Sequence, residues 1–234
     1  MWFIGDVHGC YQTYEYLLFK MSLKEGKKSM DCSLQVGDMA IGFPDNDEYS
    51  KDGKYSKDGK HWLSNIDLTH KFIRGNHDDP NSCRQHPNYL GDWGFINEMN
   101  LFYVSGGFSV DREYRTLNYT FWQDEEESAE SLKKAEKLFE KSKPKIVVSH
   151  ECPSIIKKSV VTNPSKNNVI SRTEHSLQNM FEKHQPDIWI FGHHHRYIDT
   201  TITSYGTRFI GLDELMFGNP KNCIFEIPNL TWEG

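Results

Sequence analysis

The stretch "DIWIFGHHHR", residues 187–196, runs from an apolar segment through a glycine into three histidines and an arginine. Successive side chains of an extended chain point to opposite faces, so a short run that is apolar at every position reads as a strand buried on both sides. The glycine marks where that strand opens into a loop. Residues two apart share a face, so His193 and His195 can converge on one site while His194 points elsewhere.

The same design recurs along the chain. "MWFIGD" (1–6), "SLQVGD" (33–38), "HKFIRGNH" (70–77) and "KIVVSH" (145–150) are short apolar runs that end in polar residues. Helical patterns lie between them. Tyr14, Leu17, Leu18 and Met21 recur at helical spacing, and "SRTEHSLQNMFEKH" opens with Ser171 and Glu174 at capping-box spacing. "DEEESAESLKKAEKLFEKSK" (124–143) reads as a long solvated helix, with Asp124 to Glu127 at its capped start and lysines in its last turn, as the helix dipole prefers. This alternation predicts one α/β domain over residues 1–234, with helices packed outside the sheets.

Further strands are expected downstream. The glycine- and aromatic-rich region from "NYLGDWGF" through "NLFYVSGGFSVDREYR" reads as hairpin strands, and "TITSYGTRFIGLDELM" and "NCIFEIPNL" add alternating strands to a second, mixed sheet. The tandem duplication "YSKDGKYSKDGK" (49–60) is rich in turn formers and marks a surface loop insertion at about 43–64.

Composition narrows the function. A net charge of -6 offers no broad electrostatic surface for nucleic acid, and no run of about 18 apolar residues predicts a membrane span. The N-terminus begins directly with a strand pattern and lacks the basic and apolar regions of a signal peptide, so a cytoplasmic protein is expected. Five cysteines without a C-x-x-C pair read as free thiols. None has an arginine six residues on, as a cysteine phosphatase would need, and "EGKKSM" lacks the leading glycine of a nucleotide-binding loop.

In α/β folds, sites gather at the C-terminal ends of strands. Five such ends on one rim would present Asp6, His8, Asp38, Asn76, His77, His150, His193 and His195. These donors exceed the four of a zinc site and suit two divalent ions that share a carboxylate. Mixed imidazole and carboxylate ligation suits manganese, iron or zinc better than calcium.

The ordered set "GDVHG", "GD", "GNHD", "SH" and "GHHH" resembles the calcineurin-like metallophosphoesterase superfamily, over residues 6 to 195. "GDVHGCY" and "RGNHD" are similar to the branch that holds phosphoprotein phosphatases and diadenosine tetraphosphate hydrolases, in its small bacterial or phage form. The resemblance implies a two-sheet β-sandwich flanked by helices. It implies that Asp6, His8 and His195 bind one metal, that Asn76, His150 and His193 bind the other, and that Asp38 bridges them. Manganese comes first as the metal, with iron, zinc or nickel as alternatives. His77 would be a general acid beside a metal-bridging hydroxide.

The implied reaction is phosphoester hydrolysis. A phosphomonoester of a protein or small molecule is the favoured substrate; a phosphodiester, a dinucleoside polyphosphate, or a silent scaffold of the same fold are the alternatives. Phosphoprotein phosphatases follow the GD pair with two residues and then an Asp, where "GDMAIGF" has Ile41. Asp78 and Asp79 lie near in sequence, and Arg112, Arg115 and Arg196 are candidate phosphate clamps, since a guanidinium suits bidentate phosphate binding. Arg74 reads as structural.

Overall fold

The computed structural model describes residues 1–24, 32–42, 66–161 and 170–232, without the side chains of 19–24. The loop insertion expected at about 43–64, its duplicated segment and the Met21 side chain lie outside the described residues. All five apolar runs form strands: β1 (Trp2–Ile4), β2 (Ser33–Gln35), β3 (His70–Phe72), β6 (Ile146–Ser149) and β7 (Ile188–Phe191). β4 (Trp93–Ile96) and β5 (Leu101–Val104) make the expected antiparallel hairpin. The segment after β5 forms a 3-10 turn at Arg112–Tyr114 in place of a further strand, because its glycines and ion pairs leave no ladder to extend.

Near the C-terminus come β8 (Ile198–Thr201), β9 (Arg208–Gly211) and β10 (Ile224–Glu226), and these divide between two sheets. One sheet runs β10-β1-β2-β3, and the other β4-β5-β6-β7-β9-β8. Both are mixed: β1, β2 and β3 are parallel, as are β5, β6, β7 and β9, while β10, β4 and β8 pair antiparallel at the margins.

Neighbouring residues on a strand feed different cores, so the runs are largely apolar, and the buried polar positions of β2 are paired: Ser33 Oγ lies 2.9 Å from His70 Nδ1, and Gln35 Nε2 donates to the Gly5 carbonyl at 3.1 Å. Phe3, Leu34, Val148, Ile190 and Ile210 fill the space between the sheets. Ile4 and Phe72 face the other way, toward α1 (Tyr11–Lys24), with Tyr14, Leu17 and Leu18. Val147, Trp189, Phe191 and Phe209 face the outer helices of the larger sheet. Those helices are α3 (Ala129–Ser142), α4 (Ser154–Val160) and α5 (Arg172–Lys183). Among the described residues no helix is long and apolar enough to cross a membrane.

Two helix starts differ from expectation. Ser171 caps α5 by accepting from the Glu174 N–H, but the Glu174 carboxylate turns away to Ser154 Oγ at 2.6 Å and Lys157 Nζ at 2.5 Å, so the reciprocal half of the box is not made. Likewise α3 begins at Ala129 behind the cap Ser128, and it buries Leu132, Ala135 and Phe139. The acids before it are not its first turn: Glu125, Glu126 and Glu127 are buried in tertiary contacts.

Arg74 organises that burial. Fully enclosed, it pairs with Glu127 Oε1 at 2.7 Å and Asp92 Oδ1 at 3.1 Å, and donates to the Glu125 carbonyl at 2.6 Å. Its own carbonyl accepts from Gly106 N–H. Three loops are thereby tied behind β3. Arg74→Ala removes one partner of a buried ion pair, a change that costs about 3–5 kcal/mol. Urea denaturation should show a loss of that size, and a loss below about 1 kcal/mol would contradict this role.

Candidate metal centre

The strand ends deliver their polar residues to one rim. Asp6 and His8 follow β1, Asp38 follows β2, Asn76 and His77 follow β3, His150 follows β6, and His193 and His195 follow β7. Two groups of donors form there: Asp6, His8, Asp38 and His195, and then Asp38, His150 and His193, each within 4.8 Å of one another. In the first, His8 Nε2 and His195 Nε2 face each other at 2.9 Å, with Asp6 Oδ2 3.2 Å from His195 and Asp38 Oδ2 3.6 Å from His8. Asp38 Oδ1 turns to the second group, 3.3 Å from His150 Nε2, which is itself 3.0 Å from Asn76 Oδ1.

This donor set fits divalent cations. Two imidazole nitrogens and two buried carboxylates aimed at one point gain from a cation placed among them. The middle histidine stands apart: His194 Nε2 lies 2.7 Å from Glu151 Oε1 and 3.3 Å from Cys152 Sγ.

Backbone geometry explains how strand ends converge so tightly. His8, Asp38, His193 and His195 all have positive φ, between 47° and 67°. A non-glycine residue there costs on the order of 1–3 kcal/mol, and such outliers cluster at functional sites. Each one turns the chain sharply off its strand. Gly75 serves by absence: a Cβ there would strike Asp38 Oδ1 and His150 Nε2.

Behind the donors stands a row of residues that sequence reading missed. Asn76 Nδ2 donates to Ser109 Oγ at 3.0 Å, and Ser109 Oγ donates to Glu125 Oε2 at 2.6 Å, which leaves the Asn76 carbonyl toward the site. His150 Nδ1 is 3.0 Å from the Val36 carbonyl, His193 Nε2 is 3.3 Å from Glu151 Oε2, and His195 Nδ1 is 3.5 Å from Glu214 Oε1. Asp78 accepts from the Gly75, Ile41 and Met39 N–H groups, and Asp79 caps α2 (Pro80–Arg84). Both acids thus hold backbone.

Arg115 meets His77. Its Nη2 lies 2.6 Å from His77 Nε2 and 2.8 Å from Asp111 Oδ2. A guanidinium only donates, so His77 Nε2 accepts and the ring is neutral. Burial, reinforced by His8 and Arg115, pushes that ring down to about 3. Of the other arginines, Arg112 pairs with Glu125 and covers the Phe108 ring, and Arg196 is exposed. A cavity of about 730 Å³ opens over Asp38, Asn76, His77 and His193, with Arg115 and Lys157 as its cations and Phe108, Val110 and Tyr114 among its apolar lining.

A mixed α/β sandwich with paired His and Asp donor groups on one rim has the makings of a metal-dependent hydrolase. The chain belongs to the calcineurin-like phosphoesterases, whose family model matches residues 1–197. No curated protein matches it in sequence. Among solved structures it is similar to phosphopantetheinyl hydrolase from Mycobacterium tuberculosis, at 12% identity over 97% of this chain and 95% of that chain, with a TM-score of 0.45.

Proton bookkeeping in the metal-free protein yields one prediction. Burial lowers His150, but the adjacent Asp38 carboxylate outweighs it and raises the ring to about 10. Burial also lowers His195, and Asp6 with Glu214 raises it to about 9. Both rings are therefore protonated near pH 7, and ligation requires them neutral. Metal uptake should release protons, with affinity rising as pH rises toward about 10, as calorimetry in buffers of different ionisation enthalpy would register. The same raised values stabilise the metal-free fold fully below the ordinary imidazole pKa of about 6.5, and that stability is lost as pH climbs through 9 to 10. Gly75→Ala should abolish metal uptake while leaving the far-ultraviolet circular dichroism unchanged.

Proposed function

We propose that this protein is a dinuclear metal-dependent phosphomonoesterase. One observation carries the reading: the two oxygens of Asp38 face two separate donor groups, Oδ2 toward His8 and Oδ1 toward His150. Asp6, His8 and His195 would hold one ion; Asn76, His150 and His193 the other; Asp38 both. Manganese is the first candidate for the native metal. Bound divalent ions would lower the pKa of coordinated water toward neutrality and polarise phosphoryl oxygens.

The chain's own residues then bind and orient the ester. Arg115 is the cation placed to take a phosphoryl oxygen, since its planar fork lies at the cavity beside His77. Its move sets the condition for His77 to act: once the guanidinium hydrogen bonds to phosphate, it no longer donates to His77 Nε2, and that nitrogen can carry a proton to the leaving alkoxide. Phe108, Val110 and Tyr114 offer an apolar wall to the organic part. A monoester is favoured because its extra negative charge suits Arg115, while Lys157 is held by Glu174.

The test is to strip metal with a chelator, restore manganese, and compare an aryl phosphate monoester with the matching diester. Manganese-dependent turnover with the monoester ahead is expected. No turnover with two ions bound would overturn the reading. His77→Ala should cut turnover by about 10²–10⁴-fold with metal content unchanged, because the ring is not among the proposed ligands and the backbone N–H that donates to Asp38 at 2.8 Å is kept.

A further inference from the structure

Glu151 directly follows the strand-end His150, and its side chain is 3% exposed. Its backbone is fixed from below: the Glu151 carbonyl accepts from Ser149 Oγ at 2.5 Å, and that hydroxyl accepts from the buried Trp189 Nε1 at 2.8 Å. The carboxylate divides between two rings. Oε1 lies 2.7 Å from His194 Nε2 and accepts from the Cys152 N–H at 2.7 Å, while Oε2 lies 3.3 Å from His193 Nε2. Burial would raise this acid, yet His193, His194 and the Cys152 N–H hold it well below the carboxylate range.

Resting on the dinuclear reading above, we infer that Glu151 is a positioning residue that makes His193 present Nδ1 to the second metal and locks His194 beside it. A buried carboxylate facing Nε2, here 3.3 Å from His193, favours the tautomer with its proton on that nitrogen and leaves the other nitrogen as the stronger donor. His195, with Glu214 behind its Nδ1, repeats the arrangement with the nitrogens exchanged. The two outer histidines of "GHHH" would therefore ligate through opposite nitrogens. Two neighbouring segments of backbone can then serve two ions without the rings colliding. Only the His193 side depends on Glu151, so its removal should weaken one ion and spare the other.

Cobalt(II) titration followed by visible absorption and calorimetry tests this. Wild-type protein should take up two ions. Glu151→Gln keeps the shape but cannot accept from both rings, and should lose about 10–100-fold in affinity for one ion while binding the other normally. Glu151→Asp should fall between. The retained first ion and an unchanged melting temperature of the metal-free variant would exclude simple misfolding. In the double variant with His193→Ala, Glu151→Gln should add no further loss of affinity, because its effect runs through that ring. If wild-type protein binds fewer than two ions, the dinuclear reading itself fails. If wild type binds two and Glu151→Gln binds both as tightly, or adds its loss on top of His193→Ala, the role of Glu151 is wrong.

Discussion

The buried carboxylate of Asp38 is the constraint on which the rest of the site depends. It stands at the end of β2, between two donor groups, and accepts from the His77 N–H, while its backbone carbonyl accepts from the Val7 and His8 N–H groups. A buried carboxylate needs charge and hydrogen bonds around it. Those partners come from β1, β3 and β6, so satisfying one acid draws strand ends from both sheets to one place. Burial pushes Asp38 up, and His150 beside it pulls it well below the usual carboxylate range. The sandwich gives the rim its shape, and this acid gives it a centre.

Much of this was legible in the chain because the governing rules are local. Strands buried on both faces are apolar at most positions, and each run of that kind became a strand. The donor residues sit directly after those strands, so order along the sequence maps onto the rim. The Ser171 cap was readable for the same reason. What stayed hidden are side chains whose partners are distant. Glu151 and Glu214 come from loops with no period, and nothing near them in sequence shows what they touch; Arg115 was legible as a phosphate candidate, but its contact with His77 was not. Asp124 to Glu127 misled outright: acids before a helix are usually read through its dipole, yet Glu127 pairs with Arg74 and Glu125 with Ser109.

The departure at Ile41 finds a physical counterpart. Ile41 is buried in the core under α1, and its N–H and carbonyl bond Asp78 and the Asp79 N–H. An acid at this position would have to displace that packing. His77 is held instead by Arg115, which reaches it from the 3-10 segment across the cavity. A cation is thus a partner of this ring. The expected proton donor is consequently neutral in the resting arrangement, and its protonation is tied to where the guanidinium points.

The acidic segment before α3 also joins regions that look independent. Glu125 reaches Asn76 through Ser109, Glu126 accepts from the Thr173 N–H at the start of α5, and Glu127 anchors Arg74 behind β3. Three consecutive residues thus tether the donor rim, the start of α5 and the smaller sheet. Local opening is set by how many such ties must break together. Amides of this segment should exchange with solvent only when the rim itself comes apart, so its protection reports the integrity of a site that it never touches.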